Sequence, residues 1–367
     1  KTGSLSSFIP YNIRKAFGLP NPDTQDAIYS YLFYRLLQRS TNVFLIYNTE
    51  ESYTRQSEPS RYVYQLKLES GYEIYQYSMA LEVSVTETKP IIINKDDFVI
   101  DQLSRFYTDK KYKFSPSSLN VYLSCPLSFY YKNVLDISEG DEVSEDLDAA
   151  KFGNILHRTM EDLYKPFIGK VINKDSFKNI RKGLNNSIKR SFARYYGQEY
   201  STDFHLEGKN ILDLEIIKNY VLKILEKDEI ASPFEIIGIE QKYSFDLPLN
   251  LFGQQVKVGL KGIIDRIDRK NGIIRIMDYK TGKDESSFKD IPGLFDSNDD
   301  KRNKAIFQTF FYALLFIKNN PQYADGPIIS GLYNVKELYN PDFDPRIKLK
   351  MNRKSSCIDD ILPFIGT

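Results

Sequence analysis

Apolar positions recur at helical spacing over residues 152–164, where Ile155, Leu156, Met160 and Leu163 share one face. Long helical patterns fill residues 174–228, and a strongly apolar helical run covers 305–317. Strand-like apolar runs lie at 234–245, 255–268, 273–280 and 327–335. The order is helix, three strands, helix, strand, with a helical insertion at about 166–232 after the first helix. That order predicts an α/β domain whose mixed central sheet is flanked by helices.

Upstream the pattern predicts a mixed α/β part over residues 1–110, with a helix at 25–37 and strands at 42–47, 62–68 and 79–85. Residues 108–118 are polar and basic with a Pro and read as a linker, and the acidic run 138–148 reads as a solvated loop. The expected organisation is therefore 1–110, a connecting segment 111–150 containing Cys125-Pro126, and a main domain 151–367.

The hydropathy pattern also fixes a hairpin. Asn271-Gly272 stands between two apolar strands, the strongest short-range signal for a two-residue type I′ turn. Position 270 then faces 273, which sets Asp265 opposite Asp278 and Asp268 opposite Arg275. The second pair is favourable; the first is two like charges across a ladder, which repel. A cation between them would relieve that repulsion. Lys280, two residues beyond Asp278, projects from the same face. Two carboxylates with an ammonium alongside can hold a hard divalent ion such as Mg²⁺ or Mn²⁺ and stabilise charge on a phosphoryl group. A solvent-facing charged hairpin, with Lys280 neutralising Asp278, accounts for the spacing equally well.

Composition narrows the classes. At 367 residues the chain exceeds one ordinary core, and 41% hydrophobic with 27% charged residues is that of a globular protein. No apolar run reaches membrane-spanning length and no signal-peptide pattern opens the chain, so a cytoplasmic protein is expected. The start at Lys1-Thr2-Gly3 and the apolar end read as a piece of something longer. A net charge of +1 means that any nucleic-acid affinity must come from local patches. Cys125 and Cys357 are too few for a disulfide framework or a zinc site, and two histidines do not make a multi-His centre. No phosphate-binding Gly-rich loop with Lys occurs, which excludes a nucleotide-driven motor.

The runs Gly262-Ile-Ile-Asp265 and Asp278-Tyr279-Lys280-Thr281-Gly282 closely resemble the RecB-like branch of the PD-(D/E)XK nucleases. The resemblance covers roughly residues 150–335 and implies a restriction-endonuclease-like core and metal-dependent cleavage of DNA, with an exonuclease in end processing and repair as the expected activity. It implies Asp265, Asp278, Lys280 and Glu240 as catalytic residues, and His157, Asp265, Asp278 and the Tyr279 carbonyl as metal ligands. Gln308 and Tyr312 are implied to contact DNA and brace the site. Each has an ordinary alternative: His157 as a core histidine, Glu240 as an edge-strand charge, and Gln308 with Tyr312 as packing one helical turn apart.

Residues 115–131, around Cys125, resemble the segment of AddB-type helicase–nuclease subunits that supplies the first cysteine of a [4Fe–4S] cluster. Four thiolates are needed, so the resemblance implies a cluster only in a longer chain; a buried free thiol is the alternative. Residues 9–20 and 42–47 resemble the end of the inactivated helicase-like region of such subunits, which implies a helicase–nuclease partner. In the insertion, Lys189 and Arg190 belong to a basic run interleaved with Phe192, Tyr195 and Tyr196, suited to single-stranded DNA or simply to a solvated helix. A stand-alone CRISPR-associated exonuclease and a non-catalytic DNA-binding scaffold are the competing readings.

Overall fold

The computed structural model describes residues 9–47, 59–78, 90–138, 149–196, 208–251, 253–299, 301–351 and 354–361. The chain divides into two compact units, Lys1–Pro90 and Ile91–Thr367.

In the first unit, helices α1 (Tyr11–Ala16), α2 (Pro22–Leu37) and α3 (Arg61–Glu69) are formed. The expected helix at 25–37 lies within α2, which Asn21 caps by accepting from the Thr24 N–H at 2.9 Å. The expected strand at 62–68 is instead helix α3. Its half-buried residues Tyr62, Val63 and Leu66 are at helical spacing, and Leu68 is left exposed. The Tyr62 ring stacks on Phe33 of α2 at 5.0 Å, so packing overrides the alternation of β-formers. Residues 42–47 form no strand either; Phe44 and Ile46 are exposed, and no described strand lies alongside to pair with them. The strand expected at 79–85 lies outside the described residues.

The second unit begins with α4 (Asp97–Thr108), α5 (Pro116–Ser124) and α6 (Pro126–Phe129). Helix α4, grouped by sequence with the N-terminal part, belongs to this unit. Next come α7 (Ala149–Tyr164), β1 (Val171–Ile172), α8 (Ser176–Tyr195) and α9 (Lys209–Ala231). Strands β2 (Phe234–Leu251), β3 (Gln254–Lys270) and β4 (Ile273–Lys280) follow, then β5 (Ser287–Phe288), α10 (Lys304–Asn319), β6 (Ile328–Asn334), β7 (Lys348–Met351) and β8 (Lys354–Cys357). The main sheet has the order β1-β2-β3-β4-β6, antiparallel except for the parallel β4–β6 pair, which α10 connects. A mixed sheet flanked by helices is the architecture that the sequence predicted.

Helices α7, α8 and α9 bury Ile155, Leu156, Ile188 and Val221 against Phe234, Ile236, Met277 and Tyr279 on one face. On the other face α10 packs Ile306, Ala313 and Leu315 against Ile264, Ile267, Ile274 and Ile276. Gly262 permits that approach, because a Cβ there would lie 2.9 Å from both Tyr312 and Leu315.

The β3–β4 register is the expected one: Lys270 pairs with Ile273 and Asp268 with Arg275. Asn271 and Gly272 both have positive φ, 52° and 81°, as a type I′ turn requires. The paired register ends at Arg266–Met277, so beyond that point one edge of β3 is open. Phe114 fills it, donating its N–H to the Gly259 carbonyl and accepting from the Lys261 N–H, both at 2.8 Å. The segment read as a linker is therefore pinned to the sheet. The reason is that β3 outlasts β4 and its backbone groups need partners.

Along β3 the facing of side chains changes at the motif. Leu260, Gly262 and Ile264 look towards α10, whereas the guanidinium of Arg266 lies over the rings of Tyr164 and Phe234 on the opposite side. Strict alternation would put all four on one face. Asp265 sits at the switch, and Glu240 on neighbouring β2 has a left-handed φ of 47°.

Candidate active site

Three elements deliver His157, Glu240 and Asp265, and β4 and α10 deliver the rest. Helix α7 buries Ile155, Leu156 and Met160 and so turns His157, at the intervening position, towards the sheet. The irregular stretch of β2 brings Glu240, and the face switch of β3 brings Asp265. His157 Nδ1 lies 3.3 Å from both Glu240 Oε1 and Asp265 Oδ2, and Nε2 lies 2.9 Å from the Tyr279 carbonyl oxygen. The donor atoms of His157, Glu240 and Asp265 lie within 4.8 Å of one another. Asp265 also accepts from the Tyr279 N–H at 2.9 Å, closing the gap where the ladder stops.

Asp278, beside this cluster, is turned to a second set of partners. Its Oδ2 pairs with Lys280 Nζ at 2.9 Å, and its Oδ1 accepts from Gln308 Nε2 at 3.3 Å. Gln308 accepts from Lys280 Nζ at 3.0 Å and donates to the Tyr312 hydroxyl at 2.7 Å. The structure thus brings together His157, Glu240, Asp265 and Tyr279 in one group and Asp278, Lys280, Gln308 and Tyr312 in the adjoining one. Facing carboxylates at 265 and 278 were expected to share one cation. Here His157 faces Asp265 at 3.3 Å, Glu240 adds a second carboxylate to that group, and Lys280 pairs with Asp278.

Electrostatics follow from burial. Burial pushes the Asp265 carboxyl up, against the pull of neighbouring His157. For His157 burial acts downwards, but the Asp265, Glu240 and Asp278 carboxylates outweigh it and raise the imidazole to about 9. The imidazole offsets part of this carboxylate charge, with both ring nitrogens against acceptors. For Lys280 burial likewise acts downwards, yet Asp278 raises it above its ordinary value, so it stays an ammonium.

An open cleft of about 640 Å³ gives access at the C-terminal end of β4. His157, Glu240, Tyr279, Lys280 and Gln308 line it. Tyr312 is buried against Gly262, so it braces Gln308 and does not face the cleft. Lys189 and Arg190 are exposed on α8 outside the cleft lining; Arg190 pairs with Asp162 of α7 at 3.5 Å. Cys125 is exposed, not buried, at the junction of α5 and α6, and Cys357 closes β8.

Sequence reading missed a buried ionic network behind the site. Arg266, fully buried, donates to Asp228 at 2.6 Å and Asp268 at 2.7 Å. Asp228 also accepts from the hydroxyls of Tyr164 at 2.5 Å and Tyr333 at 2.6 Å, and the Tyr279 hydroxyl lies 3.4 Å from Arg266. Asp268 accepts from Arg275 as the hairpin register predicted. A signal was present: Asp228 continues the stripe Ile217, Val221, Ile224 of α9, an acid at a core position.

A profile of the PD-(D/E)XK nuclease superfamily matches residues 113–361. The chain belongs to this superfamily. The match contains the whole main sheet and both polar groups of the site. Among curated relatives of this superfamily member, an uncharacterized protein of Rickettsia felis is 25% identical over 293 residues, covering 74% of this chain and 31% of that one. Two proteins named as subunits of an ATP-dependent helicase/deoxyribonuclease also match. That of Clostridium novyi is 24% identical, covering 53% of this chain and 18% of its own length. That of Thermoanaerobacter sp. is 27% identical, covering 52% and 17%. The chain spans less than a third of the length of each of these relatives. No described helix is long and apolar enough to cross a membrane.

Proposed function

We propose that this PD-(D/E)XK chain is a metal-dependent deoxyribonuclease. In this reading it removes nucleotides from DNA ends during recombinational repair, as the C-terminal nuclease part of a cytoplasmic helicase–nuclease subunit. The observation that carries the reading is the convergence of His157, Glu240, Asp265 and the Tyr279 carbonyl beside the Asp278–Lys280 pair. Two carboxylates, a carbonyl and one imidazole suit Mg²⁺ or Mn²⁺, and the nitrogen donor tilts the set towards Mn²⁺. Such an ion supplies Lewis-acid stabilisation of a phosphoryl oxygen and acidifies water. Lys280, kept charged by Asp278, orients the attacking water and offsets charge growing on the phosphate. Gln308 holds both side chains of that pair at a fixed spacing. The names of the clostridial and thermoanaerobacter relatives support a DNA substrate and a helicase partner.

End-labelled single-stranded and duplex DNA should be degraded by the chain with Mn²⁺ or Mg²⁺, releasing mononucleotides, and EDTA should stop the reaction. Internal fragments would move the reading to an endonuclease. DNA bound but never cut would favour the scaffold.

Metal binding should also release protons. An imidazole raised to about 9 must lose its proton to serve as a ligand, so Mn²⁺ affinity should climb as pH rises from 6 to 8. Calorimetry in buffers of different ionisation heat should show at least about one proton released per ion near neutral pH, from His157 and from the burial-raised Asp265. Binding without proton release would remove His157 from the ligand set.

A further inference from the structure

Two cations of the cleft take no part in the arrangement above. Arg158 follows His157 on α7, and Lys304 is the first residue of α10; both line the cleft. They come from helices packed on opposite faces of the sheet, so they stand on different walls. Neither the guanidinium nor the ammonium has an ion-pair or hydrogen-bond partner among the described residues.

Each placement is unfavourable for stability taken alone. Arg158 is half-buried, and no acid among the described residues is paired with its guanidinium. Lys304 occupies the positive pole of α10, whose first turn contains no acid, where the helix dipole favours an anion. The same lining carries the carboxylates of Glu161, Glu240 and Asp284, with Asp265 and Asp278 behind them. Glu161 is taken up by Lys165 at 3.2 Å. A polyanionic strand entering such a cleft needs cations beside the carboxylates, and these two are unengaged.

We infer that Arg158 and Lys304 are phosphate-positioning residues, holding the sugar–phosphate backbone on the two sides of the phosphate presented to Lys280. The inference rests on the nuclease reading for its substrate, but not for its test. Backbone contacts of this kind carry no sequence information; they set register and contribute counterion release.

The probe is a fluorescently labelled single-stranded oligonucleotide bound to the whole chain without added metal, read by anisotropy across a salt series. Arg158→Ala and Lys304→Ala should each weaken binding about tenfold and flatten the slope of log affinity against log salt by about 0.7. Arg158→Lys and Lys304→Arg should retain the slope, and Lys218→Ala, on α9 where Glu215 engages the ammonium at 3.1 Å outside the cleft lining, should leave it unchanged. With Mn²⁺ present, the alanine variants should raise KM about tenfold and leave kcat within about threefold, because a backbone clamp binds ground and transition states alike. A wild-type slope in the Arg158→Ala, Lys304→Ala double variant overturns the inference, as does a wild-type chain with no salt-dependent binding. A chain that cuts DNA with unaltered slopes in both variants defeats this inference alone. One that binds with the expected slopes and never cuts defeats the nuclease reading instead.

Discussion

Asp278→Asn and Lys280→Ala are each expected to lower DNA hydrolysis by about 10²- to 10³-fold, the usual loss when one preorganised electrostatic group is removed. The Asn variant keeps the size of the side chain and can still accept from Gln308, so it removes charge without opening a cavity. Lys280 would then lose the carboxylate that holds its ammonium in place. The Ala variant removes the ammonium itself and leaves Asp278 buried without its counter-charge. Because the two act as a unit, the double variant should fall little below either single one. Melting curves must accompany the rates, since a buried carboxylate left alone also costs stability. Either single variant, folded and cutting within tenfold of the parent, would take this pair out of the chemistry.

The second large effect is on folding. Asp228→Ala should destabilise the domain by roughly 3–5 kcal/mol, because it leaves the Arg266 guanidinium buried without its main partner. It also orphans the hydroxyls of Tyr164 and Tyr333. A loss of that size should lower Tm on the order of 10 °C in a domain this large. Asp228→Leu combined with Arg266→Met should recover much of it, since an apolar replacement of a buried pair is often neutral. Asp268 would still be satisfied by Arg275 in that variant. Differential scanning calorimetry decides the point: an Asp228→Ala protein melting with the parent would mean the network contributes nothing. Its position behind β3 and β4 joins α7, α9 and β6 to the strands that carry Asp265 and Asp278.

Much of this architecture was legible before any coordinates. The Asn271-Gly272 turn set the β3–β4 register, because turn chemistry and strand period are local. His157 and Glu240 could be assigned only through a family resemblance, for nothing in their spacing says that a helix of one layer reaches a strand of another. Tyr312 was expected to brace the site as well as contact DNA; its hydroxyl accepts from Gln308, and its ring is buried against Gly262 fifty residues upstream, a contact its own helix does not reveal. Residues 62–68 alternate like a strand and form a helix, since the decisive contact is with Phe33. The segment around Phe114 looked like a linker because an open edge of β3 cannot be seen from the linker's own sequence. What escaped sequence reading in each case was a long-range contact.

Asp265 closes the strand gap with its own carboxylate, by taking the Tyr279 N–H. It therefore has an architectural task that survives the loss of chemistry. If the proposed nuclease reading holds, a descendant that gave up cutting DNA would be free to drift at Lys280, whose partners are all polar groups of the site, while the fold still penalised change at position 265. Degenerate copies of this domain should keep the first acid and lose the lysine. A motif search that counted the acid alone would then mistake retired nucleases for working ones.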